Sequence, residues 1–280
     1  MEKVTLFFMN KESLFINLFQ NKFIGDDGAL IGNTVYSMDA FFENVHFKRE
    51  WMSLEQIAAK SMLVNISDAI AMNAIPKYAL LSVAIPKHFS KDDLRALWRG
   101  FDRIAKMYSC EIIGGDTIAN SKLDISVTIV STTSNPLLRS GIKEGDLIAY
   151  TGTLGLVKKD LNRLFRGAWL PDNSRFIEPK LRQDFIYKSS KYLRSAMDIS
   201  DGLYTDLSRL SKFNTIGFDF LHPISKAIGC SGEEYEMLIA FSAKNRARVE
   251  SLAKQTKTPL TIFAIAKRGK FTDRCKSHHF

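Results

Sequence analysis

The stretch Val64-Asn65-Ile66-Ser67-Asp68-Ala69-Ile70-Ala71-Met72 sets an amide, a hydroxyl and a carboxylate inside an otherwise apolar run. The run lies within residues 53–73, which read as a helix with Ser53, Glu55 and Gln56 as its N-terminal capping signal. Asn65 and Asp68 are three residues apart and therefore share one helix face. Polar groups in such a setting need a partner if they are buried.

Working outward, six further aspartates stand in short breaks between apolar segments. Their contexts are Gly25-Asp26-Asp27-Gly28, Ser37-Met38-Asp39, Gly114-Gly115-Asp116-Thr117 and Asp198-Ile199-Ser200-Asp201-Gly202. Carboxylates spread along a chain in this way cost stability unless a cation gathers them. Mg²⁺ and Ca²⁺ take oxygen ligands, and magnesium together with loop glycines suggests a phosphate-bearing substrate. By itself 25–28 reads first as a turn. Gly114-Gly115-Asp116-Thr117, placed after a strand at 111–113, is more specific, because paired glycines let backbone N–H groups approach a phosphate. A helix N-cap explains one aspartate or the serine of 198–202, but not all three. His46 reads equally as a surface histidine or a substrate donor. Arg139 is a solvated charge or a phosphate clamp, and Glu233, Glu234 and Glu236 around Tyr235 read as strand-end charges. The chain has no Walker-type loop, no kinase-type glycine loop and no Gly-x-Ser-x-Gly elbow.

The 280 residues fit two domains of ordinary size. With 45% hydrophobic and 25% charged residues the composition is globular. The net charge of +9 suits nucleic acid, a membrane surface or small anionic substrates. The densest basic cluster, Lys267-Arg268-Gly269-Lys270 with Arg274 and Lys276, is not a patterned patch, and no nucleic-acid motif appears. Cys110, Cys230 and Cys275 are odd in number and far apart, which predicts three small apolar fillers in a reducing cytosol rather than a disulfide or zinc scaffold. The apolar run at 4–9 is too short for a signal peptide and no run is long enough to cross a bilayer, so a soluble, cytoplasmic protein without a membrane partner is expected.

Residues 34–38 are β-prone and end at Asp39, 78–85 form an apolar run closed by Pro86, and 90–108 follow amphipathic helical spacing. Residues 123–132 alternate as a half-buried strand. Ser134-Asn135-Pro136 marks a boundary, giving domains 1–136 and 137–280. Beyond it, strands are predicted at 146–150, 196–197, 216–220, 234–241 and 259–265, and helices at 183–193, from Gly202 and at 244–254. The alternation fits α/β or α+β layers in both halves.

Taken in order, these segments resemble the thiamine-monophosphate kinases, a family of the aminoimidazole ribonucleotide synthetase superfamily. The resemblance rests on Gly25-Asp26-Asp27, Ser37-Met38-Asp39, His46-Phe47, residues 64–72, Ile113-Gly114-Gly115-Asp116-Thr117, Arg139-Ser140-Gly141, Gly145-Asp146 and Thr151-Gly152-Thr153-Leu154-Gly155. It continues through Met197-Asp198-Ile199-Ser200-Asp201-Gly202-Leu203, Gly232-Glu233-Glu234-Tyr235-Glu236 and His279-Phe280, and so covers nearly the whole chain. The resemblance implies ATP-dependent phosphorylation of thiamine monophosphate to thiamine diphosphate by direct transfer with several Mg²⁺ ions. It implies metal ligation by Asp27, Asp39, Asp68, Asp116, Asp198 and Asp201, with Ser37 adding an oxygen. Gly115, Asp116, Arg139 and Ser200 would contact ATP, and His46 and Glu233 thiamine monophosphate. No side chain is required as a base. The implied architecture is a two-domain synthetase-like fold, with an N-terminal domain forming a β-barrel across a homodimer and a C-terminal α/β domain covering the site.

The chain departs from the family pattern at four places. Gly28 stands for the usual alanine, Ser231-Gly232-Glu233-Glu234 for Gly-Gly-Glu-Asp, and 221–231 is short. The C-terminal aromatic has no clear match, with Arg274 near its position and Phe271 as a substitute. One alternative is another enzyme of the superfamily, such as a selenophosphate synthetase, which would need a reactive Cys where none precedes Asp26, or a hydrogenase-maturation protein, which typically ends in Cys. The others are a degenerate or re-purposed ATP-binding member of the superfamily, and a basic nucleic-acid binder for which only the charge speaks.

Overall fold

The computed structural model describes residues 11–275, and ten strands in them form two five-stranded sheets. The run at 4–9, Lys276 and His279-Phe280 lie outside the described residues. The first sheet contains β1 (Ala29–Ile31), β2 (Thr34–Phe42), β3 (Ile75–Pro86), β4 (Glu111–Asn120) and β5 (Asp124–Thr132), in the order β1-β2-β5-β3-β4. All its pairings are antiparallel except β3 with β4, which a crossover joins in parallel. The second sheet contains β6 (Asp146–Thr151), β7 (Ser195–Asp198), β8 (Ile216–Phe220), β9 (Met237–Ser242) and β10 (Leu260–Arg268), in the order β7-β9-β6-β10-β8, antiparallel throughout.

The helices are α1 (Lys11–Ile16), α2 (Leu54–Ala71), α3 (Lys91–Met107), α4 (Leu156–Leu164), α5 (Gln183–Ser189), α6 (Leu203–Asn214), α7 (Lys226–Gly229) and α8 (Arg246–Gln255). The predicted capping of α2 is present: the Gln56 N–H donates to Ser53 Oγ (3.2 Å) and the Ser53 N–H to Gln56 Oε1 (2.9 Å). Helix α2 lies on β2 and β5 and also touches β7 and α5 of the other half, so it is buried on nearly all sides. That position explains its lack of a polar stripe, whereas α3, covered on one side only, is strongly amphipathic. On β5, Ile125, Val127 and Ile129 enter the core below α2, as the alternation requires.

The fold is mixed α/β, with a sheet in each half. The first sheet is not closed within the chain. Its face away from α2 leaves Tyr36, Met38, Tyr78, Leu80 and Ile118 exposed.

Three expectations change. Gly114-Gly115-Asp116-Thr117 is not a loop after a short strand. Parallel pairing with β3 carries β4 through it, with an irregularity opposite Ala79 and Leu80. A Cβ on Gly115 would fall 1.7 Å from the Leu81 carbonyl oxygen, so only glycine fits there. Residues 234–236 are not strand but part of an irregular turn in which Glu233 (φ 56°) and Tyr235 (φ 49°) are left-handed, and β9 starts at Met237. Cys230 and Cys275 are disulfide-bonded rather than separate fillers, and Cys110 alone is free and buried. The chain after β10 returns to α7, a proximity that 45 residues of separation concealed. No helix among the described residues is long and apolar enough to cross a membrane.

Candidate functional site

Asp27 from the first loop, Asp68 from the last turns of α2 and Asp198 from the end of β7 each offer a carboxylate oxygen, and these oxygens lie within 4.8 Å of one another. Arg139 fixes the first loop. Its backbone N–H donates to Asp26 Oδ1 (2.6 Å), and its guanidinium to Asp27 Oδ1 (2.5 and 3.2 Å) and the Gly25 carbonyl (3.1 Å). Gly28 lets this loop lie against β2, since a Cβ there would meet the Tyr36 carbonyl oxygen at 2.8 Å. Ser67, beside Asp68, donates its hydroxyl to Asp198 Oδ2 (2.6 Å), tying α2 to β7. Asn65 orients the neighbouring strand by accepting the Asp39 N–H (2.6 Å) while donating to the Ser61 carbonyl (2.9 Å), and Ser37 Oγ donates to the Asn65 carbonyl (3.2 Å).

These carboxylates repel one another in a largely desolvated setting, with Asp198 buried and Asp39 and Asp68 half-buried. Burial, then Asp39, Asp198 and Asp27, holds Asp68 well above the usual carboxylate range. Burial and then Asp27 do the same to Asp198. Asp39 is pushed up to about 6 by burial, Asp27 and Asp201. Burial also raises Asp27, against the pull of Arg139. The second Asp27 oxygen, Oδ2, is buried with no hydrogen-bond partner. Three converging carboxylates, one of which carries an orphaned oxygen, are a donor set that fits Mg²⁺.

A second group of residues lies on the other side of the 198–202 turn. The Glu233 N–H donates to the Ser200 carbonyl (2.7 Å) and the Tyr235 N–H to the Ile199 carbonyl (2.9 Å), which lays the Gly232–Tyr235 turn on this segment. Each glutamate in it has a partner, contrary to the strand-end reading. Glu233 takes Lys60 of α2 (2.5 Å). Glu234 accepts the Gly155 N–H (2.7 Å) and the Ser231 hydroxyl (2.5 Å) at the start of α4, and burial pushes it up to about 7. Glu236 receives Arg182 twice at 2.6 Å, Arg175 at 2.5 Å and Thr151 Oγ1 at 2.7 Å. Gly152 is required beside it, because a Cβ would lie 1.9 Å from Glu236 Oε1. His46 stacks on Phe41 (centroids 5.7 Å apart) and accepts the Phe42 N–H at Nδ1 (3.0 Å).

Not all expected residues converge. The register runs Asp39–Val127–Leu81–Gly115 across the first sheet, so Gly115 and Asp116 stand three strands from Asp39, roughly 14 Å by strand spacing. Asp116 is exposed, and its Oδ1 accepts the neighbouring Thr117 N–H (2.9 Å). Asp201 pairs with Arg209, which also takes Asp206 (2.6 Å). Phe271 packs with Tyr204, Phe218 and Phe220, and Arg274 lies over that cluster. Sequence reasoning missed Lys60, Arg209, Asp206 and the arginines on Glu236. Lys60 carried a signal, being the only cation between Leu54 and Ala71.

Residues 25–133 match the family "AIR synthase related protein, N-terminal domain". The chain is 31% identical over 232 residues to a thiamine-monophosphate kinase of Aquifex aeolicus (strain VF5), covering 77% of this chain and 74% of that protein. It is 32% identical over 216 residues to the thiamine-monophosphate kinase of Bacillus subtilis (strain 168), covering 71% and 66%. Among solved structures it is similar to AaThiL complexed with AMPPCP and TMP, with a TM-score of 0.82, 25% identity and 96% of each chain covered.

Proposed function

The chain belongs to the thiamine-monophosphate kinase family, and from that premise we propose that it moves the γ-phosphoryl group of ATP directly onto thiamine monophosphate, giving thiamine diphosphate in the last step of that cofactor's biosynthesis. The observation that carries the reading is the meeting of Asp27, Asp68 and Asp198 from three distant stretches, with an unpartnered buried oxygen on Asp27. Asp27, Asp39, Asp68, Asp198 and Asp201, with Ser37 behind Asp39, would hold Mg²⁺, which when bound supplies charge neutralisation for the phosphates. Arg139 and Ser200 are assigned to ATP, and His46 and Glu233 to thiamine monophosphate. The chain's own contribution is positioning. The accepting phosphate oxygen is already anionic, so no side chain has to remove a proton from it.

The nucleotide lies between domains 1–136 and 137–280 in this reading. The uncovered face of the first sheet pairs with that of a second copy, closing a β-barrel across a homodimer, and on that dimer Gly115 and Asp116 enter the nucleotide site. The apolar side chains on that face support the pairing, because contiguous exposed apolar surface is a mark of association. The test is to incubate the protein with ATP, Mg²⁺ and thiamine monophosphate and separate the products. Thiamine diphosphate that disappears with EDTA is the expected result. ATP binding without product would instead identify a re-purposed member of the superfamily. A solution mass of one chain would overturn the dimer.

A further inference from the structure

We infer that Lys60 is a positioning residue for the thiamine side of the reaction, acting by holding Glu233. The inference rests on the assignment of Glu233 to thiamine monophosphate. Lys60 lies on α2, the helix that also supplies Asp68, and its side chain is 0% exposed. Its Nζ sits 2.5 Å from Glu233 Oε2, 3.7 Å from the centroid of the Phe176 ring and 5.6 Å from that of Phe41. Phe41 is the ring on which His46 stacks. One ammonium group therefore touches Glu233 directly and His46 through a single intervening ring.

A packing role alone does not explain a lysine here. The surroundings are aromatic, and an apolar side chain of similar volume would fill them without removing a charge from water. What the ammonium adds is a fixed position for a carboxylate on the opposite half of the molecule. Glu233 stands in a left-handed conformation at φ 56°, unusual for a side chain with a Cβ, and the ion pair is its one side-chain anchor. Only Oε2 is used. Oε1 has no hydrogen-bond partner among the described residues, and the side chain is 24% exposed. The pair thus leaves one partly exposed acceptor oxygen on Glu233, suited to an N–H donor or the cationic ring of a heteroaromatic ligand. Because α2 is a rigid rod, eight residues set the anchor of Glu233 and the carboxylate of Asp68 about 12 Å apart along its axis.

The experiment compares Lys60→Met, Glu233→Gln and the double variant by steady-state kinetics, varying each substrate in turn, with melting temperatures alongside. Lys60→Leu is the second variant should the methionine form not fold. The expected result is an increase of about tenfold in KM for thiamine monophosphate in both single variants, the scale of one lost charge-assisted hydrogen bond. KM for ATP stays within about twofold, and the double variant is no worse than Glu233→Gln alone. If Glu233→Gln raises KM for thiamine monophosphate and the Lys60 variants do not, Lys60 is a structural residue and the inference falls while the Glu233 assignment stands. If Glu233→Gln leaves that KM unchanged, both fall. Equal increases in both KM values would also overturn the inference, since they report general damage rather than positioning.

Discussion

Replacing Asp68 by Asn should stabilise the metal-free protein while abolishing phosphoryl transfer. The carboxylate oxygens of Asp27, Asp68 and Asp198 lie within 4.8 Å of one another. At that separation an effective dielectric near 20 gives roughly 3 kcal/mol of repulsion for each fully ionised pair. Burial first and this repulsion second hold Asp68 and Asp198 well above the usual carboxylate range, so protonation relieves part of it in the wild-type protein. A neutral amide removes the repulsions that Asp68 has with Asp39, Asp198 and Asp27, and a net gain of about 3 kcal/mol is expected after partial protonation is allowed for. A change of that size raises the melting midpoint of a chain this long by roughly 6 °C. The assay is calorimetry at pH 8 in EDTA, followed by Mg²⁺ titration. Wild type should gain stability with Mg²⁺, whereas the variant should start higher, gain little and form no thiamine diphosphate. A variant that melts below wild type in EDTA would refute the reasoning, because it would mean that favourable partners rather than mutual repulsion govern Asp68.

Two other predictions rest on the second half of the molecule. The folded pKa of Glu234, pushed up to about 7 from 4.5, means that the folded state binds this proton more tightly than the unfolded one. Stability from it is fully present below about pH 4.5 and is lost as the pH rises through about 7, so Glu234→Gln should melt higher than wild type at pH 8, by about 3 kcal/mol, with little difference at pH 4; equal effects at both values would refute it. Gly152→Ala should destabilise the fold by several kcal/mol, since it forces a side chain onto Glu236 at a left-handed φ of 67° and breaks the Arg182 pair; an unchanged urea midpoint would refute that.

What was legible in the sequence was what local chemistry decides. The capping of α2, the amphipathic spacing of α3 and the alternation along β5 depend on neighbours a few residues away, and each was read where it occurs. The aspartates were legible as a candidate set from their number and settings, but which of them meet was not. Asp27, Asp68 and Asp198 are brought together by α2 lying between the sheets, while Asp116 is carried off by a strand pairing that no local signal specifies. Glycines after a strand suggest a loop, and only the Leu81 carbonyl pressed against Gly115 shows why they belong inside β4. The partners of Glu233, Glu234 and Glu236 come from 79 or more residues away in the longest-range cases, which is why charges with fixed roles looked like solvated ones. Lys60 was the exception, because a lone cation in an apolar helix is visible without a structure.

Arg139 is the counter-charge of Asp27 within the carboxylate cluster. Three ionised carboxylates this close together need a cation nearby, or must take up protons. In the metal-free chain the cation on Asp27 is the Arg139 guanidinium, whose side chain is only 15% exposed against 1% for Asp27. Arg139 therefore does part of what Mg²⁺ would do, and the two contributions should overlap. Removing the guanidinium in Arg139→Met leaves the backbone N–H bond to Asp26 in place but strips Asp27 of its counter-charge. Breaking one partner of such a pair costs about 3–5 kcal/mol. If the loss is electrostatic, Mg²⁺ at the carboxylates should restore a larger share of stability to the variant than it adds to wild type, so the gap between their melting curves should narrow as Mg²⁺ is added. If Arg139 instead matters through the geometry of its bonds to the loop, including the one to the Gly25 carbonyl, the gap should be the same with and without the ion. A constant gap would refute the view that arginine and metal serve the same carboxylates.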